Sequence, residues 1–340
     1  MDARSLIAAF PLPVVLVHPG ERVEAMNAGA VALFGKGMIG RHYITVLRQP
    51  GVQDAVERVL HGSVSATGRY QTTEGGREAT YRVHARQAGS GAVLVTFEDV
   101  TAAESAAQVR RDFVANVSHE LRTPLTAMTG FIETLRGSAR DDPAARERFL
   151  ATMAREASRM NRLIRDLLSL SRVESDARVR PDARMDLAAV LRATRAALAP
   201  TMEEHGAAMT LSGADEPITI AGDADQLQQV FTNLSENAVK YGGRDVRVAV
   251  GAVERQPLLR APGVRVEVVD DGIGIEPIHL PRLTERFYRI DPHRSRERGG
   301  TGLGLAICKH IVNRHRGRLR IDSAPGKGTR VTVVLPEGLS

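Results

Sequence analysis

From about residue 102 to 174 the apolar side chains return with the period of a helix, and the pattern breaks once, at "RGSARDDPAARE". The Asp-Asp-Pro in that break reads as a helix cap followed by proline in the first turn. Two long helices joined by so short a loop run antiparallel, and a lone hairpin of this kind leaves an apolar stripe uncovered. Two hairpins close it as a four-helix bundle, so the segment predicts a homodimer. In the first helix Phe113, Val117, Leu121, Leu125, Met128, Ile132 and Leu135 share one third of the circumference at about 100° per residue. The second supplies Leu150, Met153, Met160, Ile164, Leu167 and Leu168.

The same geometry turns His119 about 170° from the seam, toward water. Thr123, four residues on, shares that face, and Glu120 lies on the flank. Pro124 lacks an amide donor and frees the carbonyl of Glu120, which predicts a bend one turn past the histidine. A carboxylate beside an exposed imidazole can hold one ring nitrogen protonated and leave the other as nucleophile. A zinc-protease motif needs a second histidine four residues after the first, and that position is Thr123.

A chain of 340 residues suits two or three domains. The net charge of +6 is spread among acids from end to end and aromatics are 4%, so no basic tract alternates with stacking rings, and nucleic acid is not expected as a partner. The single cysteine, Cys308, excludes an internal disulfide and reads as core. The run Leu6 to Val17 is too short, and too broken by prolines, to span a bilayer. It also lacks a secretory cleavage pattern, so a cytoplasmic chain is expected.

Residues 1 to about 100 read as a small α+β domain. A hairpin over "PVVLV" and "RVEAMN" and strands over "TGRYQTTE", "TYRVHARQ" and "GAVLVTFEDV" alternate with the helical pieces "NAGAVALFG" and "VQDAVERVLHG". From about 180 helices and strands mix. One helix is expected over "LAAVLRATRAALAPTMEEHG", and one sheet with helices on a face is the economical architecture.

In "DADQLQQVFTNLSENAVKY", Asp223 and Gln226 look like a capping pair. Leu227, Val230, Phe231, Leu234, Ala238 and Tyr241 form the apolar side. Asn233, Asn237 and Lys240 form a polar stripe, which is either an ordinary wet face or a place for magnesium and phosphate, since magnesium takes few protein oxygens. In "VRVEVVDDGIGIEP", Asp270 with Gly272 and Gly274 is either a glycine turn or an acceptor for an exocyclic amine beside backbone bared for a flat ring. Gly299, Gly300, Gly302 and Gly304 lead into an amphipathic helix, as a phosphate cradle does, yet neither a Walker loop nor a dinucleotide fingerprint is present. The arginine-rich segment 282–298 reads either as a lid over phosphates or as a solvated loop.

In their order these motifs resemble those of the sensor histidine kinases of two-component systems. "FVANVSHELRTPL" is similar to the family's H box, "NLSENAVKY" to its N box, and "DDGIGI", "RFYRID" and "GGTGLGL" to its G1, F and G2 boxes. The H-box wording and domain order are most similar to the phosphate-regulon (PhoR-like) sensors. "NAGAVALFG" and the closing "FEDVT" resemble a PAS sensory domain, with Asp99 and Thr101 at its exit.

The resemblance implies a multidomain α+β chain. A PAS-like domain would span 1–101, a dimerisation and histidine-phosphotransfer hairpin 102–175, and a Bergerat-type α/β-sandwich ATP-binding domain 176–340. It implies that His119 takes the γ-phosphoryl of ATP and yields it to an aspartate of a cognate response regulator. Glu120 would be the acid/base partner, and Thr123 would orient water for dephosphorylating the regulator. Asn237 would be the Mg2+ ligand, Asn233 and Lys240 phosphate-site residues, and Tyr241 part of the pocket wall. Asp270, Gly272 and Gly274 would receive adenine, Phe287 would belong to the lid, and Gly300, Thr301, Gly302, Leu303 and Gly304 would form the phosphate loop. The transmembrane pair of PhoR-like sensors is missing, which leaves a small-molecule cue or a membrane-bound partner as the input. Two other readings stand beside this one: a different ATPase of the same superfamily, and a nucleotide-binding regulatory scaffold.

Overall fold

The computed structural model describes residues 3–74, 76–176, 179–253, 262–291 and 299–337. The chain forms two compact units, Met1–Ala115 and Asn116–Ser340, and its architecture is mixed α+β.

The first unit opens with helix α1 (Ala3–Ala8) and strands β1 (Val14–Val17) and β2 (Val23–Met26). Helices α2 (Ala28–Phe34), α3 (Tyr43–Val46) and α4 (Pro50–Leu60) follow, then β3 (Ser65–Glu74), β4 (Arg77–Gln87) and β5 (Val93–Asp99). The sheet order is β2-β1-β5-β4-β3, antiparallel throughout. Val15, Val17, Val83, Val95 and Phe97 point inward against Val52 and Val56 of α4. Phe34, Tyr70 and Phe97 meet edge-on or tilted at 5.1–5.8 Å, the geometry aromatic quadrupoles favour. Asn27 caps α2 by accepting from the Ala30 amide and also holds the Val14 amide. At the sheet's end the Thr101 amide and hydroxyl both donate to Asp99, and Thr101 Oγ1 accepts from the Thr80 amide. Those hydrogen bonds hold the Asp99 carboxyl below its ordinary range. Helix α5 (Thr101–Arg136) begins there.

In the second unit α5 continues and α6 (Pro143–Ser175) returns beside it. Asp142 caps α6 by accepting from the Ala145 amide, with Pro143 in the first turn, so the cap read from the sequence is present. Phe131 stacks on Phe149 at 5.3 Å near the turn. Pro124 is buried and α5 runs through it without interruption. The seam is covered only in part within one chain: Leu125, Ile132, Leu150, Ile164 and Leu168 are exposed.

Beyond the hairpin come β6 (Arg184–Asp186), α7 (Leu187–Ala197), α8 (Ala199–His205), β7 (Ala208–Ser212) and β8 (Thr219–Ala221). Helix α9 (Ala224–Tyr241), β9 (Asp245–Val253), β10 (Gly263–Asp270), α10 (Gly304–Arg314), β11 (Arg318–Ser323) and β12 (Thr329–Pro336) complete the unit. The main sheet runs β11-β12-β10-β9-β7, with β7 parallel to β9 and the other pairs antiparallel. Helices α7, α9 and α10 pack together against it. Leu227, Val230, Phe231 and Leu234 of α9 are fully buried, each contributing about 1.5–3 kcal/mol by leaving water.

Three expectations are corrected. The single helix over 187–206 is two, divided at Leu198, because Pro200 in the first turn of α8 has no amide to continue the ladder. The single sheet is joined by a separate pair, β6 with β8. The Asp223–Gln226 cap is one-sided: Asp223 accepts from the Gln226 amide, but the Asp223 amide donates to His315 Nε2 at 3.0 Å, leaving Gln226 Oε1 buried and unpartnered among the described residues. Cys308 is core, its thiol pushed up to about 12 by burial.

Candidate functional site

The second unit contains a cavity of about 760 Å³ walled by α9, the end of β10, the segments 273–291 and 299–305, and α6. The strand β10 delivers Asp270 to its floor. There the carboxylate accepts from the Gly272 amide at 3.0 Å and the Thr329 amide at 3.2 Å, while burial raises its proton affinity. Gly242 and Gly272 lie so close that a Cβ on Gly272 would sit 2.5 Å from the Gly242 Cα. Gly274 has φ +70°, and a side chain there would overlap the Ala324 carbonyl. Only glycine meets both demands.

From α9, Asn233 donates to the Gly304 carbonyl at 3.5 Å. Lys240 reaches Glu236 Oε2 at 2.6 Å, Tyr241 is 37% exposed, and Asn237 lines the cavity beside them. Opposite them lies the glycine turn. Gly302, with φ +74°, accepts from the Phe287 amide at 2.8 Å, and Phe287 itself holds φ +64°. Thr301 donates to Asp166 of α6 at 2.6 Å and its oxygen accepts from the Leu303 amide at 3.3 Å. Burial raises the Asp166 carboxyl above its ordinary range.

Of the residues singled out in the sequence, Asn233, Asn237, Lys240, Tyr241, Asp270, Gly274, Gly300, Thr301, Gly302 and Gly304 line this cavity. Gly272, Phe287 and Leu303 do not line it, but their amides donate to the lining residues Asp270, Gly302 and Thr301. The lid reading of 282–298 falls partly on 292–298, outside the described residues.

His119, Glu120 and Thr123 do not line the cavity. His119 is exposed on α5, and the Thr123 hydroxyl donates to the His119 carbonyl at 3.1 Å. Glu120 is gripped from two sides. Arg159 of α6 donates through Nη2 to Oε2, and Arg289 donates through Nη1 to Oε1 at 3.3 Å and Nη2 to Oε2 at 3.1 Å. Arg289 also lines the cavity, so one guanidinium joins the cavity wall to the helix that carries His119.

Sequence reasoning missed Arg159, Arg162, Arg165, Asp166 and Arg289. Arg159, Arg162 and Asp166 repeat at spacings of three and four, a polar stripe on α6 that periodicity reveals. Further ties between α6 and the C-terminal α/β fold run from Ser169 to Gln229 at 2.8 Å, and from Glu174 to Arg286 and His310.

Residues 109–176 match the His Kinase A (phospho-acceptor) domain, and 222–339 match the histidine kinase-, DNA gyrase B- and HSP90-like ATPase domain. Together these take in more than half of the chain. The phosphate regulon sensor protein PhoR of Pseudomonas aeruginosa is 41% identical over 241 residues, 70% of this chain and 53% of that protein. The sensor protein kinase WalK of Staphylococcus aureus is 38% identical over 250 residues, 72% of this chain and 57% of that protein. The chain thus spans little more than half the length of these relatives. The solved complex of histidine kinase ThkA with response regulator protein TrrA aligns over 99% of both chains with a TM-score of 0.54 and 19% identity, a likeness of fold alone.

Proposed function

Because the chain belongs to the sensor histidine kinases of two-component systems, as its phospho-acceptor and ATPase domains establish, we propose that it phosphorylates its own His119 from ATP, passes the phosphoryl group to an aspartate of a cognate response regulator, and also dephosphorylates that regulator. The observation that carries the reading is the exposed imidazole beside Glu120, a carboxylate tied through Arg289 to the wall of a nucleotide-sized cavity.

ATP enters with its adenine amine toward Asp270 and its phosphates toward Asn233, Lys240 and the turn 300–304, with Tyr241 against the ring. In the transfer, a ring nitrogen of His119 bonds to the γ-phosphorus and the bond to the β–γ bridging oxygen breaks. ADP leaves, and Glu120 receives the proton from the other ring nitrogen. Such transfer asks a protein mainly for alignment and neutralised charge. Magnesium fits the donor set: Asn237 offers one hard oxygen, and phosphates and water supply the rest. When bound, the ion neutralises the phosphate chain, while Asn237 fixes where it sits. Thr123, one turn from His119 on the exposed face, orients water in the dephosphorylation.

The exposed apolar seam of α5 and α6 supports a four-helix homodimer. The five-stranded antiparallel sheet with helices α2–α4 supports a PAS-like sensory domain over 1–101, and the hydrogen-bonded Asp99–Thr101 turn supports its exit into α5. No helix among the described residues is long and apolar enough to cross a membrane. The proposed input is a small-molecule cue or a membrane-bound partner. The likeness to PhoR favours a phosphate-linked response.

Incubation with γ-labelled ATP is the direct test. The wild type is expected to carry acid-labile, alkali-stable label, and His119→Gln none. Label persisting on His119→Gln removes the assignment, and an unlabelled wild type favours the scaffold reading.

A further inference from the structure

Glu120 receives guanidinium groups from two elements that belong to different parts of the machine. Arg159 sits on α6, in the same hairpin as His119, and its side chain is 9% exposed. Arg289 belongs to the segment that also walls the cavity, and its side chain is 6% exposed. Both donate to Oε2, and Arg289 also donates to Oε1. The second contact of Arg159 is Glu156, one turn away on α6, at 3.7 Å.

Bound to both, the Glu120 carboxylate is held in one orientation by hydrogen bonds to each of its oxygens. Arg289 belongs to the segment that lines the cavity, whereas Arg159 is carried by the same helical hairpin as His119.

We propose that Arg159 is the resident positioning residue of the reaction: it holds the Glu120 carboxylate in place beside His119 when Arg289 lets go. The assignment rests on the reading of His119 and Glu120 given above. A buried guanidinium is suited to this because its planar fork lets Nη2 hold Glu120 while Nη1 faces Glu156 on the same helix. Its place on the hairpin makes the orientation independent of the cavity. Arg159 touches neither substrate nor imidazole and acts only through Glu120.

Initial rates of autophosphorylation of the full chain, measured against ATP concentration, test it. Arg159→Gln is expected to lower kcat by about 10- to 100-fold, the scale of a misplaced catalytic group, with KM for ATP changed less than about two-fold. Arg159→Lys, which keeps the charge and loses the fork, is expected to fall between wild type and Arg159→Gln. In a Glu120→Gln background Arg159→Gln is expected to cost nothing more, since a residue acting through Glu120 has nothing left to position.

An unchanged kcat in Arg159→Gln overturns the proposal. So does a loss that adds fully to that of Glu120→Gln. If Arg159→Gln does not fold, Arg159→Lys decides alone, and a wild-type kcat or a raised KM in that variant overturns the assignment. Label on His119→Gln defeats the reading of the site itself. An unlabelled His119→Gln beside a fully active Arg159→Gln defeats only the role given to Arg159.

Discussion

The Thr301 hydroxyl donates to the Asp166 carboxylate at 2.6 Å and so ties the glycine turn ahead of α10 to the second helix of the hairpin. Burial dominates at Asp166 and raises its folded value above the unfolded one, in spite of the Thr301 hydrogen bond and the Arg165 charge. The proton it holds therefore favours the fold below the ordinary carboxylate range, and this contribution is lost as pH rises through the raised folded value. Asp166→Asn is expected to gain stability over wild type on going from pH 4 to pH 8, read by urea melts. A gap that narrows as pH rises would mean that Arg162 and Arg165 outweigh burial.

The sign is opposite at His315. Its Nε2 accepts from the Asp223 amide at 3.0 Å and its Nδ1–H donates to the Ile311 carbonyl at 2.8 Å, so the folded ring is neutral. Burial lowers its folded value, and the stability it confers is present above the ordinary imidazole range and lost as pH falls through that lowered value. Acidification from pH 7 to pH 5 is expected to weaken wild type more than His315→Gln. At pH 8 the variant is expected to be less stable by about 1–3 kcal/mol, the cost of an orphaned buried donor. Parallel pH curves for the two proteins would remove His315 as the cause.

Gly274→Ala places a methyl group against the Ala324 carbonyl at φ +70°. A loss of about 1–3 kcal/mol is expected, together with weaker binding of a fluorescent ATP analogue. Gly251→Ala, where nothing lies within 4 Å of the added carbon, serves as the comparison. Equal behaviour of the two would show that the turn relaxes.

Leu125 and Leu168 are 56% and 57% exposed in the single chain. If a second hairpin covers them, Leu125→Glu combined with Leu168→Glu removes about 1.5–3 kcal/mol of burial per leucine and adds charge to the seam. Sedimentation is expected to show the double variant as a monomer beside a dimeric wild type. A double variant that remains dimeric would place the interface elsewhere.

Much of the cavity lining was legible because the residues that form it recur at short spacings in the sequence. Asn233, Asn237 and Lys240 share a helix face, and Asp270, Gly272 and Gly274 share a turn, so a short window of sequence contains each group. The partners of Glu120 were not legible. Arg159 and Arg289 lie 39 and 169 residues away, and among so many arginines no local pattern marks which two converge. The Asp223 cap misled for a related reason, since His315, 92 residues on, takes the amide that a local rule assigns to Gln226. The break at Leu198 was readable from Pro200 and was outweighed by the apolar rhythm on either side of it.

Arg162, Arg165 and Asp166 make the hairpin's second helix part of the nucleotide cavity. Turning that helix by a single residue step, about 100°, would carry two cations and an anion away from the chamber and break the Thr301–Asp166 hydrogen bond. On the proposed function, a twist of the hairpin would change how long ADP or ATP is retained. Nucleotide dissociation rates would then report the signalling state directly, and identical rates in signalling-locked variants would deny that link.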